Sequence, residues 1–143
     1  MYKKIIVPLD NSPTDKTILD HVRKLAQWTH ARLVLVHVAD GFVARLQDQL
    51  NLADSEEIKK DQAYLDEICA GLQSEGFSVQ AFLVQGQEPA DGILSVTQKE
   101  GGDLIAMSTH GHRFVKDMIL GSVADILRHK TDIPILMIRS SFK

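Results

Sequence analysis

Five short apolar runs alternate with longer amphipathic stretches along the chain. The runs are rich in Val, Ile and Leu and contain few polar residues, which is typical of strands buried on both faces of a parallel sheet. They cover Ile5–Leu9, Leu33–Val38, Val79–Val84, Leu104–Met107 and Ile133–Ile138. In the stretches between them, apolar residues recur at helical spacing. The resulting order β-α-β-α-β-α-β-α-β indicates an α/β protein with an open parallel sheet covered by helices.

Polar residues and prolines near the ends of the runs predict where the helices begin. Ser12-Pro13 is a serine cap followed by a proline in the first turn, so the first helix is expected from there to about Thr29. The later helices are predicted to begin near Ser55, at Pro89 and at Gly121. Residues 41–51 fit either a loose helical turn or a mobile segment.

Length and charge fit a small protein without nucleic-acid or membrane partners. The chain has 143 residues, which suits a single domain over residues 1–143. Its net charge of -3 gives no electrostatic reason to bind DNA or an anionic membrane. No apolar run approaches the ~20 residues that span a bilayer. The one cysteine, Cys69, has no internal disulfide partner, and a strand pattern follows Met1-Tyr2-Lys3-Lys4 directly, so a cytoplasmic location is expected.

Several common nucleotide-binding and catalytic motifs are absent from the sequence. Neither the Walker pattern G-x-x-x-x-G-K-S/T nor the dinucleotide pattern G-x-G-x-x-G occurs, and G-x-S-x-G is missing as well. The six histidines do not form a recognised zinc spacing, so no metal site is predicted. His37 lies inside an apolar strand and is interpreted as a hydrogen-bonded core or near-site residue rather than a ligand.

One stretch, from Asp103 to Arg128, carries a pattern that suits an anion. An apolar strand ends in Ser108-Thr109-His110-Gly111, and Gly121-Ser122 then opens a helical pattern. A helix start offers free backbone N–H groups and the positive end of the helix dipole. In parallel α/β sheets, ligands bind beyond the carboxyl ends of the strands, where the strand order reverses. The sequence therefore predicts a phosphate site at this strand exit, with Asp10 at the exit of the first strand.

Over essentially its whole length the chain resembles the universal stress protein family. The opening YKKIIVPLDNS, Tyr2–Ser12, is similar to the family's first strand and its acid-containing loop. The likeness continues in Leu35–Val38 and in Gly86 followed by Pro89.

The most specific part of the likeness is the family's ATP-binding signature. That signature is a glycine, two residues, a glycine, nine residues, and a glycine followed by serine or threonine. In this sequence Gly111 is the second glycine, His112–Leu120 are the nine residues, and Gly121-Ser122 is the closing pair. Ser108 stands in place of the first glycine, while the spacing is intact.

The resemblance implies a fold, a ligand and a set of binding residues. The implied fold is Rossmann-like: a five-stranded parallel sheet in the order 3-2-1-4-5, with helices on both faces. The implied ligand is ATP or a related adenine nucleotide, accompanied by Mg²⁺. The implied contacts are Pro8, Leu9, Asp10 and Val38 near the adenine, Met107 and Ser108 near the ribose, and Gly111, His112, Arg113, Gly121, Ser122 and Val123 near the phosphates. Residues 112–120 would form a loop over the phosphates.

The resemblance also implies a biological role and an assembly. Members of the family often dimerise through the last strand, here Ile133–Ile138. The implied role is that of a nucleotide-dependent stress-response regulator that acts on an unidentified protein partner. Two other functions stay open, namely a slow Mg²⁺-dependent ATPase or phosphotransferase and a nucleotide-free dimeric interaction module.

Several of the implied contacts have a simpler structural explanation. Asp10 could cap the first helix or end the strand, a role compatible with binding. Gly121-Ser122 could be a helix start only, and Arg113 and Lys116 could be solvated loop charges. Ser108 is small enough to lie near a ribose, but it would weaken binding if the first glycine were needed for a positive φ angle.

Overall fold

The computed structural model describes residues 1–39, 51–110 and 115–140, with the side chains of residues 51–55, 110 and 115–122 left out. Five strands and four helices lie in these ranges. The strands are β1 Lys4–Pro8, β2 Arg32–Val38, β3 Val79–Val84, β4 Leu104–His110 and β5 Ile135–Ser140. The helices are α1 Asp15–Thr29, α2 Asn51–Ser74, α3 Pro89–Glu100 and α4 Val115–Lys130.

The five strands form one parallel sheet in the order β3-β2-β1-β4-β5, which confirms the expected topology. From β1 the chain moves outward to β2 and β3, and it then crosses over to β4 and β5 on the other side of β1. The strand order therefore reverses between β1 and β4, which pair through Ile5 with Leu104 and Ile6 with Ile105. The carboxyl ends of these two strands form the edge where a ligand crevice is expected.

Helices cover both faces of the sheet, and each face has its own hydrophobic core. On one face, β1 and β2 side chains pack with α1 and α2 through fully buried residues such as Ile18, Val22 and Leu65. On the other face, Ile6 and Ile105 pack with α3 and α4 in the second cluster. Burial on both faces explains why the strands read as continuous apolar runs.

Helix α1 begins later than the serine cap at Ser12 predicts. Residues 12–14 form successive turns, in which Asp15 N–H donates to the Ser12 carbonyl at 3.0 Å and Lys16 N–H donates to the Pro13 carbonyl at 3.2 Å. The helix cap is Thr14, whose side chain makes no capping hydrogen bond. The prediction of Ser12 as the cap was therefore wrong by two positions.

Helix α4 differs most from the sequence prediction. It begins at Val115, six positions before Gly121, so Gly121-Ser122 lies inside the helix rather than at its start, and residues 115–120 are not a loop. The intervening segment KDMIL consists largely of residues with high helix propensity, and one interior glycine costs only about 1 kcal/mol relative to alanine. Local propensity over residues 115–120 therefore outweighs the helix start that Gly121 suggested.

Strand boundaries also move at the site edge. β4 continues through Ser108 and Thr109 to His110, because these residues keep pairing with Ile138, Arg139 and Ser140 of β5. The sheet was expected to end at Ser108. Strand β5 is correspondingly shifted toward the C-terminus, to Ile135–Ser140.

Helix α3 approaches the sheet closely through a glycine. A Cβ atom added at Gly92 would lie 2.8 Å from Cγ2 of Val38 and 3.3 Å from Cγ1 of Val84. Pro89 opens this helix and Gly101, with a φ of 71°, ends it, as the sequence predicts. Because glycine has no Cβ atom, Gly92 allows α3 to lie this close to the end of β2. Among the described residues, no helix has the length and apolarity needed to cross a membrane.

Candidate functional site

The candidate site lies at the carboxyl ends of β1, β2 and β4, where three of the predicted residues come to one edge of the sheet. Asp10 follows β1, Val38 ends β2, and Ser108 lies in the last part of β4. The ladder continues past β1, since the Leu9 N–H donates to the Val36 carbonyl at 2.8 Å. These positions follow from parallel strands that share one carboxyl edge.

The turn after β1 is organised by a buried acid, Asp15. Its carboxylate accepts three consecutive backbone N–H groups: Asp10 at 3.0 Å, Asn11 at 2.9 Å and Ser12 at 3.3 Å. The Asp15 residue is only 2% exposed. Because Asn11 has a φ of 60°, a left-handed conformation that asparagine tolerates, its N–H can turn toward this carboxylate. The turn is therefore held by side-chain hydrogen bonds rather than by the helix cap.

The Asp10 carboxylate adds hydrogen bonds to the side chains of the same turn. Its Oδ1 accepts a hydrogen bond from the Ser12 hydroxyl at 2.6 Å, and its Oδ2 lies 3.4 Å from the Thr14 hydroxyl. Asp10 thus has a local structural role in the turn after the strand, while the helix cap itself is Thr14. Both of its oxygens lie at the exit of β1, beside the point where the strand order reverses.

Asp15 is the titratable group most perturbed by this arrangement. Burial and the neighbouring Asp10 carboxylate raise the pKa of Asp15 to about 8, against the opposing effect of the Asp10 and Ser12 amides. Tyr64 of α2 donates its hydroxyl to Asp15 at 3.4 Å and to the Ser12 carbonyl at 3.3 Å. Burial and Asp15 raise the pKa of Tyr64 to about 12, so the phenol stays a hydrogen-bond donor at neutral pH.

A second network joins the turn to α2 through Asp61. The Asn11 side-chain amide donates to the Asp61 carbonyl at 3.2 Å and to its Oδ1 at 3.4 Å. His37 of β2 places Nε2 3.3 Å from Asp61 Oδ2, while its Nδ1 lies 3.0 Å from the Leu9 carbonyl. The interpretation of His37 as a hydrogen-bonded residue near the site is thus confirmed.

The remaining adenine-side and ribose-side residues are largely buried. Pro8 is buried and Leu9 is 5% exposed, and Leu9 belongs to the core cluster under α1 and α2. Met107 is 0% and Ser108 2% exposed. Val38 keeps partial exposure. In this conformation Met107 and Ser108 are therefore covered, main chain and side chain alike.

The phosphate side of the predicted site is only partly described. Gly111, His112 and Arg113 lie outside the described residues. Gly121 and Ser122 lie within α4, where backbone N–H groups of the helix interior donate to carbonyls one turn earlier. The anion site expected from a helix start at Gly121 is thus not formed in this conformation.

Val123 is 4% exposed and packs in the core cluster on the α3 and α4 face of the sheet. Val123 follows Ser122 directly, so the residues predicted to bind phosphate adjoin a core residue in the sequence.

Sequence reasoning missed four residues that build this site: Asn11, Asp15, Asp61 and Tyr64. Asp15 was not among the predicted site residues. A polar residue next to Asp10 and an acid five positions on were visible signals, but Asp61 and Tyr64 are about 50 positions away and no local pattern links them to the turn. Among the described side chains, no group of His, Cys, Asp or Glu is arranged to hold a metal ion.

The chain is similar in sequence and in structure to known proteins. The model of the universal stress protein family matches residues 1–139. Universal stress protein MJ0577 of Methanocaldococcus jannaschii is 28% identical over 159 residues, an alignment that covers 97% of this chain and 96% of that protein. The solved structure of MJ0577 superposes with a TM-score of 0.85 at 29% identity, covering 100% of this chain and 99% of that one.

Two other solved structures share the fold and contain nucleotides. A universal stress protein in complex with cAMP has a TM-score of 0.68 at 18% identity, with 98% of each chain covered. The universal stress protein of Archaeoglobus fulgidus in complex with dAMP has a TM-score of 0.70 at 23% identity, with 96% of this chain and 98% of that chain covered. On the match over residues 1–139, the chain belongs to the universal stress protein family.

Proposed function

We propose that this protein binds an adenine nucleotide, ATP or a close relative of it, at the carboxyl ends of β1 and β4 and acts as a nucleotide-dependent regulator. The observation that carries the proposal is the turn Asp10–Ser12, held rigid by Asp15 at the point where the strand order reverses. A preformed polar turn at a switch point lowers the ordering cost of binding a flat, polar ligand.

The relatives support an adenine nucleotide as the ligand class. Two proteins of the same fold are complexes with cAMP and with dAMP, which share the adenine base but differ in sugar and phosphate. The common base favours recognition at the adenine side, where this chain supplies the turn after β1. Pro8, Leu9, Asp10 and Val38 would border the base, and Met107 and Ser108 would border the ribose.

The proposed phosphate contacts are Gly111, His112, Arg113, Gly121, Ser122 and Val123. In the described conformation, however, the N–H groups of Gly121 and Ser122 lie inside α4. Binding through these two residues would require residues 115–120 to leave the helix, so that Gly121 becomes its first turn. Nucleotide affinity is therefore expected to be linked to the helix–coil equilibrium of this segment.

Magnesium would enter this site as a companion of the phosphates. The Asp10 carboxylate already accepts the hydroxyls of Ser12 and Thr14, so phosphate oxygens rather than a cluster of side chains would hold the ion. The chemistry that Mg²⁺ supplies there is neutralisation of phosphate charge.

Identification of nucleotide carried by the purified protein tests the ligand class. The protein is purified without added nucleotide, denatured, and the released small molecules are identified by mass spectrometry. The proposal predicts release of an adenine nucleotide, and a variant with Gly121→Val should carry much less. Release of a guanine or pyrimidine nucleotide in its place would contradict the adenine assignment.

We further propose that two copies of the chain associate through β5. This strand is at one edge of the sheet, and Met137 at its centre is 50% exposed. An edge strand with apolar side chains favours pairing with a second strand. The proposed dimer would extend the sheet beyond β5, which overlaps the expected segment Ile133–Ile138 at residues 135–138.

A further inference from the structure

The segment of chain that leaves β1 is attached to α2 through Asp61, in addition to the Tyr64 hydroxyl that donates to the Ser12 carbonyl. Asp61 receives the side-chain amide of Asn11 and faces Nε2 of His37 at 3.3 Å. The same histidine ring holds the Leu9 carbonyl through Nδ1 at 3.0 Å. Residues on either side of Asp10 are therefore both connected to one residue of α2.

The chemistry of these contacts fixes which atoms donate. A carbonyl oxygen only accepts, so His37 Nδ1 carries a proton and donates to Leu9. Nε2 then faces Asp61 Oδ2, and it donates to that oxygen when the ring carries its second proton, which makes the contact an ion pair. Side-chain exposure is 12% for His37 and 24% for Asp61, so the pair is largely shielded from water.

Asn11 is held by aspartates from two different helices. Its N–H donates to Asp15 of α1 and its side-chain amide donates to Asp61 of α2. Its Oδ1 is buried without a hydrogen-bond partner among the described residues. With a φ of 60°, this residue keeps its conformation only because its surroundings specify it.

We propose that Asn11 and His37 are positioning residues for the adenine side of the crevice, and that they act by fixing residues 9–11 to α2 through Asp61. This inference rests on the proposed function for its ligand. The position of α2 relative to the sheet then sets nucleotide affinity. By linkage, nucleotide binding strengthens the attachment of α2 by the same factor.

For Asp61→Ala, the proposal and simple electrostatics predict opposite changes in nucleotide affinity. Asp61→Ala removes a negative charge near the binding site of an anionic ligand, so charge alone predicts tighter binding. Loss of positioning predicts weaker binding, because the segment 9–11 must then be ordered by the ligand. Asp66→Ala is the matched control, since it removes the same charge from an exposed position of the same helix, where Asp66 accepts a hydrogen bond from Gln62.

The test is calorimetric titration of ATP and AMP into nucleotide-free protein carrying Asp61→Ala, Asp66→Ala or Asn11→Gly. Glycine tolerates the φ of 60° and keeps the N–H that Asp15 accepts, so Asn11→Gly cuts only the side-chain link. We expect affinity to fall about tenfold for Asp61→Ala and Asn11→Gly, the loss of one or two charged hydrogen bonds, and to stay unchanged for Asp66→Ala. Equal or tighter binding by Asp61→Ala than by Asp66→Ala would overturn the proposal.

A second readout separates this inference from the proposed function. Amide hydrogen exchange of residues 9–12 is measured in the nucleotide-free variants, with thermal unfolding as a check that each is folded. Faster exchange in Asp61→Ala than in Asp66→Ala supports the positioning role even if wild-type protein binds no nucleotide. Unchanged exchange at residues 9–12 in Asp61→Ala would show that the Asp61 side chain does not hold this segment.

Discussion

Asp15 combines two roles that usually belong to different residues. It is the first residue of α1, where the helix dipole stabilises a carboxylate. It is also the acceptor for the three amides of residues 10–12. Burial next to Asp10 nevertheless raises its pKa to about 8. The native state therefore keeps a proton on this pair at pH values where a solvated aspartate has lost it.

This raised pKa predicts a pH dependence of stability. Since the folded-state pKa of about 8 lies above the ordinary 3.8, the native state binds more protons between these values than the unfolded state does. The free energy of unfolding should therefore fall as the pH rises from 5 to 8, with a slope of up to about 1.4 kcal/mol per pH unit for one proton. Denaturant unfolding at several pH values measures this slope, and Asp15→Asn should flatten it.

Asp20→Asn is the control for the Asp15 experiment. Asp20 is an exposed acid on the same helix, and its hydrogen bond to Lys16 lowers its pKa, so it titrates below the tested range. The slope between pH 5 and 8 should be the same in Asp20→Asn as in the wild type. An equal slope in Asp15→Asn and the wild type would show that the buried acid does not hold a proton.

Two glycines on helices give a second residue-scale prediction. A Cβ at Gly92 would meet Cγ2 of Val38 at 2.8 Å, whereas a Cβ at Gly71 of α2 would meet nothing within 4 Å. Gly92→Ala should lower the free energy of unfolding by roughly 1–3 kcal/mol through overpacking. Gly71→Ala should raise it by about 0.5–1 kcal/mol through helix propensity. Chemical denaturation of both variants checks the pair, and stabilisation by Gly92→Ala would contradict the close approach of α3 to β2.

At the scale of elements, apolar runs located all five strands, but not every strand end. β3 matches its run at Val79–Val84, since the run and the ladder with β2 end together. β4 continues past its apolar run because Ser108 and Thr109 pair with β5. A ladder partner about 30 positions away sets that boundary, and the local pattern contains no trace of it.

Helix starts were predicted best where a residue fixes the backbone. Pro89 specifies the start of α3, and Gly101 with its φ of 71° specifies the end. α4 has no such residue at its start among the described positions, and the glycine that was taken for one lies inside the helix.

The residues of the candidate site were likewise predicted where the local sequence determines their position. Asp10 was predicted from its place after a strand, whereas its partners on α2 depend on packing between distant segments.

The internal position of Gly121 predicts opposite effects on stability and on binding. Gly121→Ala should raise the free energy of unfolding by about 0.5–1 kcal/mol, because alanine favours the helix that contains this position. The same change should weaken nucleotide binding, because it favours the helical form of residues 115–120 and adds a methyl group near the phosphates. Thermal unfolding and nucleotide titration of one variant measure both quantities. A loss of stability would indicate that Gly121 is not helical in the free protein.

At the scale of the whole molecule, the candidate site lies at the carboxyl ends of the strands, and β5 is the last strand of the sheet on one side. The site uses the carboxyl ends of β1, β2 and β4, while the proposed dimer uses the lateral edge of β5. β4 and β5 pair from Ile105 with Ile135 to His110 with Ser140. A partner that adds to β5 would therefore be one strand away from β4, close enough for dimerisation to support the β4 side of the site.

Met137 and Ile126 provide a matched pair of substitutions for the assembly. Both side chains are substantially exposed, at 50% for Met137 on β5 and 43% for Ile126 on α4. Met137→Lys should convert a dimer to a monomer in sedimentation velocity experiments, because it places a charge in the proposed interface. Ile126→Lys should leave the dimer intact. Dissociation by Ile126→Lys with an intact Met137→Lys dimer would place the interface on the helical face.

The central claim is that the crevice at the ends of β1 and β4 binds an adenine nucleotide. Titration calorimetry of ATP with Mg²⁺ into nucleotide-free wild-type protein tests it most directly, with GTP as the competing base. The account predicts saturable binding of one ATP per chain and at least tenfold weaker binding of GTP. Absence of any binding heat or competition at millimolar ATP, with protein that is folded by thermal unfolding, would contradict it.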